Sequence, residues 1–121
     1  LMDALLGACA LGDIGQHFPD SRAEFKDISS LLLLEKTARI LRQKGFEPWQ
    51  CDVTIIAQAP KLAPFIRQMR LNIARALCIA PDRVSVKATT TEGLGFEGRQ
   101  EGISAQASAL VMALPGDAKT G

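Results

Sequence analysis

The sequence has no apolar run approaching the roughly eighteen residues that a membrane-spanning helix requires, which excludes such a span within it. It has no surplus of either charge: 14 Lys and Arg stand against 13 Asp and Glu, a net charge of +1. The broad positive field of a nucleic-acid binder is therefore missing. Cysteine is scarce, and Cys9, Cys51 and Cys78 are odd in number, far apart and without a Cys-x-x-Cys pair. That argues against a disulfide framework or a structural zinc site, and for a reducing compartment. Histidine occurs once, as His17, with no ligand spacing around it. A lone histidine of this kind reads as an exposed loop residue. No internal repeat or low-complexity tract is present.

What remains suits one globular domain: 121 residues, 47% hydrophobic and 22% charged, long enough to bury one core and too short for two. Leu6-Gly7-Ala8-Cys9 has the form of a lipoprotein cleavage box, but no lysine or arginine precedes Arg22. A signal peptide needs a basic region there, so Cys9 is expected to be a buried helical cysteine. The chain opens on Leu1 inside what already reads as a helix, and the expectation is that further residues precede it in the natural protein.

Residues 1–11 are rich in Ala and Leu and are followed by Gly12, which predicts a helix closed by glycine. From Asp13 to Ser30 the turn formers Gly15, Pro19, Asp20, Ser21, Asp27, Ser29 and Ser30 predict one long loop. Leu31 to Lys44 is an amphipathic helix by its spacing of Leu33, Thr37, Ile40 and Leu41, capped by Ser29 or Ser30 and ended by Gly45. Cys51 to Gln58 is β-branched and reads as a strand ended by Pro60. Leu62, Ile66, Met69, Ile73 and Leu77 follow helical spacing, and Pro64 must lie in the first turn. After a turn at Pro81-Asp82, Val84 to Thr89 alternates as a second strand. Gly102 to Leu114 alternates as a third, whose small inward residues Ala105, Ala107 and Ala109 leave room for another layer, such as a neighbouring subunit. This order predicts an α+β domain over residues 1–114, with a mixed sheet covered on one face by helices, and a polar tail at 115–121.

Several segments can carry chemistry. Gly93-Leu94-Gly95-Phe96-Glu97-Gly98 has dinucleotide-loop spacing but is followed by a strand rather than a helix, so a glycine-permitted hairpin or loop is expected. Thr89-Thr90-Thr91-Glu92 puts three hydroxyls and a carboxylate at a strand end. Such a group suits phosphate oxygens and a hard cation, but spacing alone favours a threonine-rich strand end with a solvated glutamate. Lys61 follows a strand and approaches a helix start, where a lysine meets phosphate as a point charge or simply snorkels. Asp13 and Asp20 can bind sugar hydroxyls or cap their loop.

Together these segments are more specific than any one of them. Asp3-Ala4-Leu5-Leu6-Gly7, Gly12-Asp13-Ile14-Gly15, Phe18-Pro19-Asp20, Asp52 to Lys61, Val86 to Glu92, Leu94-Gly95-Phe96, Gly98-Arg99 and Glu101-Gly102-Ile103 occur in order. From Asp3 to about Leu114 the chain resembles the 2-C-methyl-D-erythritol 2,4-cyclodiphosphate synthase family of the non-mevalonate isoprenoid route. The resemblance implies a homotrimer with active sites between subunits, in the bacterial cytoplasm or the plastid stroma. The substrate it implies is a cytidine diphosphate ester of methylerythritol 2-phosphate. That 2-phosphate closes on the β-phosphorus and expels CMP, with zinc and magnesium or manganese as cofactors.

By the same resemblance Ala57, Gln58, Ala59, Pro60, Lys61, Leu62 and Ala63 form the cytidine segment, with Lys61 near the phosphates. Thr89, Thr90, Thr91 and Glu92 form the diphosphate segment, with Thr90 catalytic alongside Lys61 and Glu92 the magnesium ligand. Asp13, Ile14, Gly15, Phe18, Pro19 and Asp20 hold the methylerythritol phosphate. Phe96 and Arg99 are further substrate contacts, Arg99 also lying toward a trimer channel that receives isoprenoid diphosphates. The family's zinc ligands correspond to positions before Leu1, and this stretch on its own is expected to be inactive. Asp3 would lie one turn beyond the last of them, as a supporting or merely exposed residue. Arg22 stands where the family loop is acidic, and Gln106 where some members carry a channel glutamate. A different class of function, a non-catalytic oligomerising or nucleotide-binding module, fits the same composition.

Overall fold

The structure, a computed structural model, describes residues 1–25 and 28–115. All but the first residue of the polar tail expected at 115–121, and Asp27 among the turn formers, lie outside the described residues. Helix α1 is Met2–Ala8, α2 Ile14–His17, α3 Ser30–Gln43 and α4 Ile66–Leu77. Strand β1 is Phe46–Ile56, β2 Val84–Thr89 and β3 Ser104–Ala113, with a short helix α5, Gly95–Gly98, between the last two. The strands form one mixed sheet in the order β2-β1-β3, parallel between β1 and β2 and antiparallel between β1 and β3. Helices α1, α3 and α4 pack on one face of it, giving the α+β architecture expected from the sequence.

Each helix of the covering layer follows from its sequence. In α3 the Ser29 hydroxyl accepts from the Leu31 amide at 3.2 Å. Leu34, Thr37, Ala38 and Leu41, spaced by three and four, are buried. The seam runs one residue away from the expected Leu33 and Ile40, which are only half-buried. Thr37, fully buried, satisfies its hydroxyl by donating to the Leu33 carbonyl at 2.9 Å. Pro64 stands in a 3-10 turn, Ala63–Phe65, that leads into α4, because a proline inside the helix would cost a backbone hydrogen bond. Cys78 closes α4 in the left-handed conformation. The core joins Leu5 and Leu6 of α1, Leu41 of α3 and Leu77 of α4 to Cys51, Val53, Val84 and Val86 of the sheet. The small residues Ala107 and Ala109 of β3 admit α1 of the same chain as the close layer.

Four expectations are corrected. The first helix stops at Ala8 with Cys9 as its C-cap, so Gly12 does not close it. Strand β1 begins at Phe46, five residues before the expected Cys51, and ends at Ile56. Pro48 masked its start; it is accommodated where the pairing to β3 slips between Pro48 and Gln50, at an irregularity that spares the ladder a missing amide. Residues 13–30 are not one loop, since Asp13 caps the single turn of α2 and a 3-10 turn covers Ala23–Phe25. Residues 93–98 form neither a hairpin nor an open loop: β2 and β3 are not neighbours in the sheet, and α5 takes the last four residues.

All three cysteines are free. Cys51 is buried in the sheet, and burial pushes its thiol up. Cys9 lies just past the end of α1 and is half-buried rather than within the helix. Burial raises its thiol as well. Among the described residues no helix is long and apolar enough to cross a membrane.

Candidate functional site

Parallel pairing brings the carboxyl ends of β1 and β2 side by side, with Ile56 opposite Thr89. The Ala57 amide extends the ladder by donating to the Thr89 carbonyl at 3.0 Å. The two following loops therefore diverge from one point, the place where open α/β sheets receive ligands. Between them lies a cavity of 330 Å³ lined by Ala57, Gln58, Pro60, Lys61, Leu62, Ala63, Ala88, Thr89 and Thr90. Its volume lies at the lower end of the range for small-molecule sites. Lys61 and Thr90, assigned separately in the sequence, share this cavity. Ala88 was not foreseen; a small residue at the end of a strand, just before the threonine run, is the signal that the wall there is open.

The wall carrying Thr90 is a tight turn. The Thr90 hydroxyl accepts from the Glu92 amide at 3.1 Å, and the Thr91 hydroxyl donates to the Leu94 carbonyl. Glu92 adopts φ +56° and Gly93 φ +83°. For a non-glycine residue such as Glu92 the left-handed region costs about 1–2 kcal/mol. A bond from the other wall supports the turn, the Gly93 amide donating to Gln58 Oε1 at 3.0 Å. On the opposite side neither the 3-10 turn at Ala63 nor α4 has a side-chain cap. Of the first-turn groups there, Pro64 has no N–H, and the Phe65 and Ile66 amides donate to the Leu62 and Ala63 carbonyls. The Ala59–Pro60 peptide is cis.

The remaining sequence-assigned residues stand apart from this cavity. Asp13, Ile14, Gly15, Phe18, Pro19 and Asp20 surround α2, and none lines it. Asp13 is a cap, accepting from the Gln16 amide at 2.9 Å. Asp3 has a definite role that the sequence left open: its carboxylate accepts from the Ile14 amide at 2.8 Å and ties α1 to α2. His17 bonds through Nε2 to the Leu11 carbonyl at 2.7 Å and is half-buried rather than free in a loop. Phe96 rests against Gly102, and Arg99 pairs with Glu101 at 3.0 Å. Ala59, Thr91 and Glu92 lie on the same two loops but outside the lining.

A test of metal fit separates the two expected ions. Among the described residues no three His, Cys, Asp or Glu side chains come together as a metal cluster. The donor set of a zinc site is not assembled by these residues. Glu92 is different, because magnesium is commonly held by one or two carboxylates together with substrate phosphates. Its side chain is exposed and enters no ion pair among the described residues.

The YgbB family profile matches residues 1–112. The chain belongs to the YgbB family. A relative from Syntrophomonas wolfei named 2-C-methyl-D-erythritol 2,4-cyclodiphosphate synthase is 63% identical, over 92% of this chain and 71% of its own length. One from Azotobacter vinelandii with the same name is 55% identical, over 94% of this chain and 73% of its own. Among solved structures, the bifunctional IspDF from Campylobacter jejuni superposes with a TM-score of 0.89 at 44% identity, covering 94% of this chain and 31% of that one. The CDP complex of IspF from Plasmodium falciparum gives 0.80 at 29% identity, over 93% of this chain and 67% of that one. The family resemblance read from the motifs is thus membership. In YgbB family terms, the fold described above is the shared one.

Proposed function

We propose that this chain is the phosphate- and nucleotide-holding part of a 2-C-methyl-D-erythritol 2,4-cyclodiphosphate synthase, acting on 4-diphosphocytidyl-2-C-methyl-D-erythritol 2-phosphate. The observation that carries the reading is the single cavity in which the Lys61 loop and the Thr89-Thr90 strand end meet. The names of the relatives and the CDP bound to a structural neighbour support it.

In this reaction an oxygen of the 2-phosphate attacks the β-phosphorus of the diphosphate. The bond from that phosphorus to the bridging oxygen breaks, and the bridging oxygen leaves on the α-phosphate of CMP. Phosphoryl transfer of this kind asks the protein mainly to position groups and to offset charge. Backbone groups of 57–63 hold the cytidine end, and the Lys61 ammonium offsets negative charge on the diphosphate. The Thr90 oxygen already accepts from the Glu92 amide, so its hydroxyl proton is available to donate to a phosphate oxygen. Glu92 would hold magnesium, which supplies Lewis-acid polarisation of the phosphates when bound.

The segment around α2 enters this reading through a second copy of the chain. Asp13 to Asp20 lines no part of the cavity of its own subunit. The sheet face opposite the helices carries Asp52, Thr54, Lys87, Gln106 and Ser108, outside the core, as a surface on which three copies can meet. The active site then lies between subunits of a homotrimer.

The reading is tested on the full-length protein by CMP release from the substrate and by calorimetric titration with CMP. Lys61→Met should lower the rate about 100-fold, the effect of removing one charge-stabilising donor. Lys61→Ala combined with Glu92→Ala should abolish micromolar nucleotide binding. Binding indifferent to both changes would sink the enzyme reading in favour of a non-catalytic module.

A further inference from the structure

We infer that Gln58 is a positioning residue whose side chain struts the two walls of the cavity together, rather than a reader of the cytosine base; this deepens the function proposed above and rests on it. The observation is the hydrogen bond from the Gly93 amide to Gln58 Oε1, 3.0 Å long and spanning 35 positions of sequence. The facing backbone atom is an N–H, which can only donate. The side-chain oxygen must therefore be turned toward Gly93, which fixes the orientation of the amide of a residue that lines the cavity.

What the strut holds is the least favoured backbone of the site. Glu92 and Gly93 are consecutive left-handed residues, at φ +56° and +83°. Their turn is fastened internally by the Thr90 hydroxyl and the Thr91 hydroxyl, both contacts within the turn itself. Those bonds fix the shape of the turn but not its place relative to Lys61. The Gly93–Gln58 bond is the side-chain tie among the described residues that crosses from one loop to the other. Gln58 stands two residues beyond the end of β1, the central strand, so it refers the position of Glu92 and Thr90 to the middle of the sheet. Without it, the turn would be placed only by the end of β2 and by the backbone of α5 packed behind Gly93. Misplacement of reacting groups by about 1 Å costs on the order of 100-fold in rate. A strut of this kind therefore acts on turnover more than on nucleotide affinity.

Two substitutions separate the strut from a base contact. Gln58→Met keeps length and volume and removes the acceptor. Gln58→Glu keeps an oxygen where Gly93 needs it. In the full-length protein, Gln58→Met should lower kcat for CMP release about 10- to 100-fold with KM and CMP affinity unchanged, and Gln58→Glu should recover most of that loss. The bond itself is read independently of activity from the Gly93 amide proton in a 15N-labelled sample. Its exchange should be slow in the wild type and in Gln58→Glu, and fast in Gln58→Met. A Gly93 amide indifferent to Gln58→Met would overturn the strut whatever the activity, as would a CMP affinity that falls in step with kcat. If instead the wild type neither binds CMP nor releases it while the Gly93 proton responds, the strut stands and the proposed reaction fails.

Discussion

Gly98 lies so close to Gly93 that a Cβ on it would fall 2.1 Å from the Gly93 carbonyl carbon and 2.7 Å from its Cα. Helix α5 thereby backs directly onto the turn that carries Glu92. The atoms in the way are backbone, so the contact cannot be relieved by a rotamer change.

Gly98→Ala should accordingly push the 92–93 turn outward. Overpacking of this kind costs about 1–3 kcal/mol. Urea unfolding should report that loss, and CMP release should fall with it even at temperatures where the variant is fully folded. A variant as stable and as active as the wild type would show that the turn has room to move.

Asp3→Ala removes the acceptor for the Ile14 amide, an exposed cap made from outside α2. Loss of a cap costs about 0.5–2 kcal/mol. The larger consequence is local, because Asp13 to Asp20 loses its tie to α1. Thermal denaturation should show the small global change, and KM for the proposed substrate should rise while CMP affinity holds, since these residues line no part of the cavity beside Lys61.

Leu77→Ala tests the core beneath the site. Leu77 is fully buried among α3, α4 and the sheet. Truncation of such a leucine costs about 2–5 kcal/mol. The urea midpoint should drop accordingly, with CMP binding retained under folding conditions. Its carbonyl accepts from Arg42 Nη2 at 2.5 Å, a backbone contact that the substitution spares.

Asp52 gives the acid limb of stability a defined sign. The hydrogen bond from Lys87, helped by one from Ser85, holds its carboxyl below the usual carboxylate range. A group depressed on folding adds stability that is complete above its unfolded value of about 3.9 and is lost as pH falls through the lower folded value. Asp52→Asn should therefore be less stable than the wild type at neutral pH. The gap in urea midpoints should close below about pH 4. A gap that stays constant down to pH 3 would remove the Lys87 pairing as its cause.

How much of this was legible in the sequence differs by element. Val84 to Thr89 alternates without interruption, and β2 spans those residues. Ser29 and Gly45 bracket α3 because caps and left-handed glycines are local signals. The start of β1 was hidden because Pro48 argues against a strand until the slip in pairing beside it is known. The role of Asp3 was hidden for a different reason. Its partner is the Ile14 amide, and spacing in the sequence does not register a carboxylate that caps a helix eleven residues away. In the site, the residue types around Lys61 and Thr90 were readable from motifs, but their convergence depends on parallel pairing, which is a property of the sheet. Gln58 shows the limit most clearly: the motif marks it, and only the bond to Gly93 says what its side chain does.

The place of β1 in the sheet makes the two walls of the cavity mechanically unequal. β1 is bonded on both edges, so the wall that continues from it, 57–63, is moored to the strand whose amides should open last in hydrogen exchange. The opposite wall departs from β2, a six-residue strand bonded, among the described residues, on one side only. A ligand entering between them would meet one stiff cheek and one compliant one, and closure around a phosphate would be carried by movement of the second toward the first.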